Sequence, residues 1–112
     1  MSLEKSIEIL DLNYKILEGS FIYYLHEKSI FDEKAFEDIY NSIRILANST
    51  LGQERERDIT MKIFICHGRI LKEFMYHLDA NDQSVLENFP DDYNEYIEKL
   101  EREIHKFIFI NS

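Results

Sequence analysis

Apolar residues recur along the first quarter of the chain at alternating steps of four and three. Leu3, Ile7, Leu10, Tyr14, Leu17, Phe21 and Tyr24 make up this series, which is the stripe of an amphipathic helix in a bundle. It predicts a first helix from about 3 to 26. Gly19-Ser20 interrupts the pattern, and 21–25 taken alone would also suit a strand. On the flank of the stripe, Ile9, Ile16 and Tyr23 repeat every seven residues.

Asp32 is placed to cap a second helix, because its carboxylate can accept from the free amides of a first turn. Phe31 before it and Phe36 four after it have the spacing of a hydrophobic staple. The inward face then reads Phe36, Ile39, Ile43 and Ala47, and Asn48-Ser49 ends a helix of about 32–48. Thr50 with Gln53 three residues later has capping-box spacing for a third helix, about 51–78. The short turn between them predicts antiparallel neighbours.

In the third helix Ile59, Ile63, Cys66, His67, Ile70, Phe74 and Leu78 share one face. Met61, Phe64, Ile65 and Met75 fall outside it. The run 59–66 would also suit a buried strand followed by a turn at Gly68, but the apolar pattern continues at helical spacing through Leu78. From 79 to 89 the chain reads as a connection, with Ser84 and Glu87 at capping-box spacing. Pro90 suits the first position of a last helix, about 90–109, with Asp91 and Asp92 at its positive end. Its inward stripe is Tyr93, Ile97, Leu100, Ile104 and Phe107. Four amphipathic helices joined by short turns predict an all-α, up-and-down four-helix bundle, one domain over 1–112.

Composition agrees with a folded domain. Apolar residues make up 45% of the chain and aromatic residues 13%, too much for a disordered acidic tail. With 112 residues, one core is the limit, which leaves no room for separate cofactor and substrate domains. The lone Cys66 cannot form an intrachain disulfide, and the first residues lack the layout of a signal peptide, so a cytoplasmic location is expected. No apolar run approaches the roughly 20 residues that cross a bilayer. A net charge of −9 argues against nucleic acid or anionic membrane surfaces as direct partners.

Catalytic equipment is not apparent. A di-metal bundle of the ferritin kind needs Glu-x-x-His pairs, and the residues three before the four histidines are Tyr23, Phe64, Phe74 and Arg102. Glu73 with His77 and Glu101 with His105 stand one turn apart, a spacing common by chance on charged helices, so no metal or other cofactor is expected. His67 lies between Ile63, Ile70 and Phe74 and is expected to be a core histidine with a hydrogen-bond partner. Histidine phosphotransfer domains are also four-helix bundles, but they place Lys three and Gly four residues after their histidine, where this chain has Ile70 and Leu71. Cys66 and His67 diverge by roughly 100° on a helix and cannot readily share a proton.

Charge is distributed unevenly. Residues 79–103 hold nine acids and two bases, a net of −7 out of −9. Such a surface suits steering and docking of a basic partner, for which Asp91, Asp92, Glu95, Tyr96 and Glu98 are the candidate contacts. Met61, Ile65, Gly68 and Met75 line the rear of the third helix and are a candidate oligomer face. The leading expectation is therefore a non-enzymatic acidic protein that binds and inhibits a basic protein partner, in the manner of an immunity protein, antitoxin or nuclease inhibitor. The alternative is a helical adaptor or subunit assembling through the apolar stripes on the first and third helices, for which a homodimer is one form. A phosphocarrier or enzyme using His67 comes third.

Overall fold

The first predicted helix is two helices. In the computed structural model, which describes residues 1–79, 81 and 85–111, α1 spans Leu3–Tyr14 and α2 spans Phe21–Glu27. Three features explain the break. Leu17 N–H donates to Leu12 O and Ile16 N–H to Asn13 O, the paired bonds of a Schellman ending, with Ile16 held at φ 55° where glycine is usual. Gly19 follows at φ 93°, a conformation open to it because it has no Cβ. Ser20 then caps α2 by accepting from Tyr23 N–H at 3.2 Å. The buried Asn13 side chain ties the two pieces together, donating to Ile9 O and accepting from Ile22 N–H. Leu17, expected inside the stripe, is consequently exposed. Of the flanking series, Ile9 is buried and Ile16 packs half-buried against the core, while Tyr23 is half-buried beside Tyr24.

Helix α3 spans Glu33–Leu46 and begins as expected: the Asp32 side chain accepts from Ala35 N–H at 2.8 Å. The rings of Phe31 and Phe36 lie 6.0 Å apart in a stacked arrangement, which closes the staple. Helix α4 spans Gln53–Leu78, so 59–66 is helical and not a strand. Its N-cap is Gly52 without a side-chain bond, and the Thr50 capping box does not form. Helix α5 spans Tyr93–Ile110 with Asp92 at the N-cap, again without a side-chain bond. Pro90 and Asp91 precede the helix, following a turn at Asn88, which is held at φ 60°.

The connection before α5 is pinned to the turn between α2 and α3. Phe31 N–H donates to Glu87 O and Glu87 N–H to Ser29 O, each at 2.8 Å, and the Ile30–Glu87 pair is an isolated parallel bridge. Leu86 and Phe89 are thereby carried into the interior. Ser84, the cap expected within this connection, lies outside the described residues.

Among the described residues about 72% are helical, in five helices and with no strand. Helices α1 and α4 run in the same direction, joined by Glu4–Arg55 at 2.6 Å, Asp11–Lys62 at 3.0 Å and the donation of Arg69 to Tyr14 O at 2.6 Å. Lys15 and Lys62 both hydrogen-bond Asp11 and hold its carboxyl below the usual carboxylate range. The α1–α3 crossing is made close by two fully buried serines, with Ser42 Oγ donating to Ser6 O. Helix α3 packs chiefly on α1 and α5, and α4 on α1 and α2. Helices α3 and α4 are therefore not the close antiparallel neighbours that their short turn implied. The core gathers residues from all five helices, among them Leu10, Phe21, Ile39, Ile59, Ile70 and Phe107.

One acid of the charged quarter is not on the surface. Glu103 is only 4% exposed; its Oε1 accepts from the exposed Lys106 at 3.3 Å and its Oε2 has no hydrogen-bond partner. A buried carboxylate oxygen left unpaired is destabilising, and an apolar side chain of similar length removes that loss. Glu103→Met should therefore raise stability by ~1–2 kcal/mol, measured as a higher urea midpoint at unchanged slope. A lower midpoint would show that the carboxylate is satisfied in solution.

Candidate functional site

Helices α3 and α5 run parallel, which brings their positive ends to the same end of the molecule. Tyr96 Oη donates to Glu33 Oε1 at 3.3 Å, and one turn further Lys99 Nζ donates to Glu37 Oε1 at 3.1 Å. Glu33, Glu37, Asp92, Glu95, Tyr96 and Lys99 together line a shallow depression. Asp91, Asp92, Glu95 and Glu98 are exposed, as expected for contacts, whereas Tyr96 is half-buried. Its ring packs edge-on against Phe36 at 5.0 Å and Phe31 at 5.1 Å, so its body belongs to the core and only its hydroxyl end is offered outward. Burial and then the negative charge of Glu33, Asp92 and Glu37 hold that hydroxyl above its ordinary pKa.

Glu33 and Glu37 were absent from the contacts read from the sequence, because they lie some 60 residues from Tyr96 and the parallel packing of α3 on α5 is what joins them. Their net electrostatics can be gauged. Four carboxylates face one ammonium, and two helix ends contribute about +0.5 each, leaving about −2 uncompensated. Lys99 shows how the surface holds a cation: its ammonium sits 4.3 Å from the Tyr40 ring centre as well as on Glu37, a carboxylate–aromatic clamp.

The histidines are placed differently from expectation. His67 is half-buried on the flank of α4, and its Nε2 lies 2.9 Å from Glu101 Oε2. It therefore bridges α4 to α5 in place of sitting in the core. Glu73 pairs with His26 at 2.9 Å, tying α2 to α4, while His77 Nδ1 accepts from Leu86 N–H at 2.9 Å. In the two Glu and His pairs with metal-ligand spacing, Glu73, His77 and Glu101 are thus engaged by other partners. Among the described residues no group of three or more His, Cys, Asp or Glu could hold a metal ion.

Cys66 is buried, and burial pushes its thiol up to about 12 with Arg69 opposing the shift. A thiol is reactive only as thiolate. In the native protein at pH 8, Cys66 should react with a disulfide reagent at least about 100-fold more slowly than in urea; equal rates would place it at the surface.

Among the described residues no helix is long and apolar enough to cross a membrane. Met61, Gly68 and Met75 of the candidate oligomer face are exposed and Ile65 is half-buried, on the side of α4 opposite Ile63, Cys66 and Ile70. Comparison with protein-family models, with curated proteins and with solved structures finds no match.

Proposed function

We propose that the protein is a non-enzymatic binding protein whose acidic depression between α3 and α5 docks a basic segment of a partner protein, and inhibits that partner by covering a cationic working surface. Taking α1 and α2 as one interrupted rod, its scaffold is a four-rod bundle that presents the two helix ends rigidly. The observation that carries the reading is the convergence of Glu33, Glu37, Asp92 and Glu95 around the Tyr96 hydroxyl with Lys99 as the cation beside them. An arginine or lysine of the partner would meet there the carboxylates and the Tyr96 hydroxyl, much as Lys99 already meets Glu37. Rim charges of this kind accelerate and orient association more than they add affinity.

The test is capture from the native host with the protein as bait, at about 0.05 M and about 0.3 M salt, between which screening shortens the reach of surface charges by a little more than twofold. A basic protein retained at low salt and released at high salt supports the reading. Retention that ignores salt, or retention of acidic proteins alone, overturns it.

A further inference from the structure

Gly68 sits within α4, exposed, where glycine lowers helix stability relative to alanine. Nothing in the chain's own fold calls for it: a Cβ built there meets no atom within 4 Å, and its backbone is ordinary helix. Around it the outer face of α4 carries large apolar side chains turned away from the core. Phe64 is 78% exposed and Met75 65%, with Met61 also exposed. A glycine surrounded by exposed apolar residues is the arrangement that lets another backbone come close.

We infer that this face is covered by a second copy of the chain, α4 packing antiparallel on α4 about a two-fold axis through Gly68. The support is that the face is self-complementary in that register. Residues at equal steps on either side of Gly68 become opposite one another: Met61 meets Met75 of the second copy, Phe64 meets Lys72, and Arg57 meets Asp79. Each partnership occurs twice, as an isologous contact requires. Apolar meets apolar, an aromatic face meets an ammonium, and both ends close with an ion pair between exposed residues. Helix α4 also holds five Lys and Arg against four acids, while the whole chain stands at −9. Two copies meeting at α4 thus keep their acidic regions apart. Size sets the strength. The strip from Arg57 to Asp79 is about 33 Å long and one helix wide, which covers several hundred Å² per copy against the roughly 800 Å² of a standard interface. The dimer is accordingly concentration-dependent, with a micromolar Kd.

Sedimentation velocity between about 5 and about 500 µM tests the inference across the micromolar range expected of a small interface. The mass should rise from 13.5 kDa toward twice that value, and Phe64→Lys, which sets like charges opposite Lys72 twice, should hold it at the monomer. Arg57→Asp and Asp79→Arg should each weaken association roughly tenfold, since each sets like charges opposite one another twice. Mixed together, the two variants should regain wild-type association within about threefold, because every opposed pair is again of unlike charge. Both substitutions suit their own helix ends, negative near the start and positive near the finish, so the fold is retained. Gly68→Ala should raise the thermal midpoint of the dilute monomer yet weaken the dimer. A monomer at the highest concentration, or a dimer indifferent to Phe64→Lys, overturns the face. Failure of the mixed variants to associate overturns the register.

Discussion

Phe31→Ala should cost ~3–5 kcal/mol of stability, the largest loss of any single truncation in this chain. Phe31 occupies the turn between α2 and α3, outside any helix, and yet is buried. Its ring touches Phe21 at 5.2 Å, Tyr96 at 5.1 Å, Phe36 and Phe74 at 6.0 Å, and Phe89 at 6.2 Å. These five rings come from α2, α3, α4, α5 and the connection before α5, so one side chain holds every part of that end of the molecule except α1. Its backbone N–H also anchors the connection through Glu87 O. Truncation loses the buried area, leaves a cavity and abolishes five ring contacts, some of them edge-on pairs that stabilise beyond area alone. Domains of this size have ~5–15 kcal/mol in total, so a loss of this size removes a large share of the fold's stability. Urea unfolding followed by circular dichroism measures it, with Phe64→Ala at low concentration as the comparison. That substitution, on an equally large but exposed ring, should stay within about 0.5 kcal/mol. A Phe31→Ala loss below about 1.5 kcal/mol would show that the remaining rings close over the gap.

The staple that Phe31 forms with Phe36 was legible in the sequence because its code is local. Cap, staple and apolar stripe lie within a few residues of one another, and Phe36, Ile39, Ile43 and Ala47 are all buried as their spacing implied. The same holds for Ile59, Ile63, Cys66, Ile70 and Phe74 on α4. The break after Tyr14 was less legible. A Schellman ending normally announces itself by glycine at the left-handed position, and here Ile16 stands there; only Gly19-Ser20 marked the interruption. Glu103 was misplaced although the signal was present, since it lies three residues after Leu100 and four before Phe107 on the apolar face. Pairings across the fold had no local signal at all. His67 finds Glu101, and Glu33 finds Tyr96, only once the packing of the helices is known. The acidity of 79–103 is plain in the sequence, but Glu33 and Glu37, which α3 brings beside Tyr96, belong to tertiary structure.

Neutralising that site should reduce association with a basic partner far more than it changes the fold. In the variant Glu33→Gln, Glu37→Gln, Asp92→Asn, Glu95→Gln, four carboxylates are lost from two helix ends. Each such charge supports its helix by ~0.3–1 kcal/mol, but the four also repel one another, so the net stability change should be under about 2 kcal/mol. Charge steering, by contrast, multiplies association rates by ~10–1,000 at low ionic strength. The variant should associate roughly 10–100-fold more slowly at low salt, and the difference should shrink toward nothing as the Debye length falls to about 3 Å near 1 M. Tyr96 supplies a readout tied to this location. Its hydroxyl titrates above its ordinary value because of burial and the neighbouring carboxylates. An acid whose folded pKa is raised gains nothing at neutral pH, and the fold loses stability as pH climbs from about 10, where the unfolded tyrosine ionises, toward the folded value. Removing the carboxylates should lower the Tyr96 titration and flatten that alkaline loss, and docking of a cationic segment should lower it as well. Ultraviolet titration of the phenolate, with Tyr96→Phe subtracted, follows both. If a basic partner binds while the Tyr96 titration stays where it was, and associates with the neutralised variant at the wild-type rate, docking occurs elsewhere and the depression between α3 and α5 is only a solvated pair of helix ends.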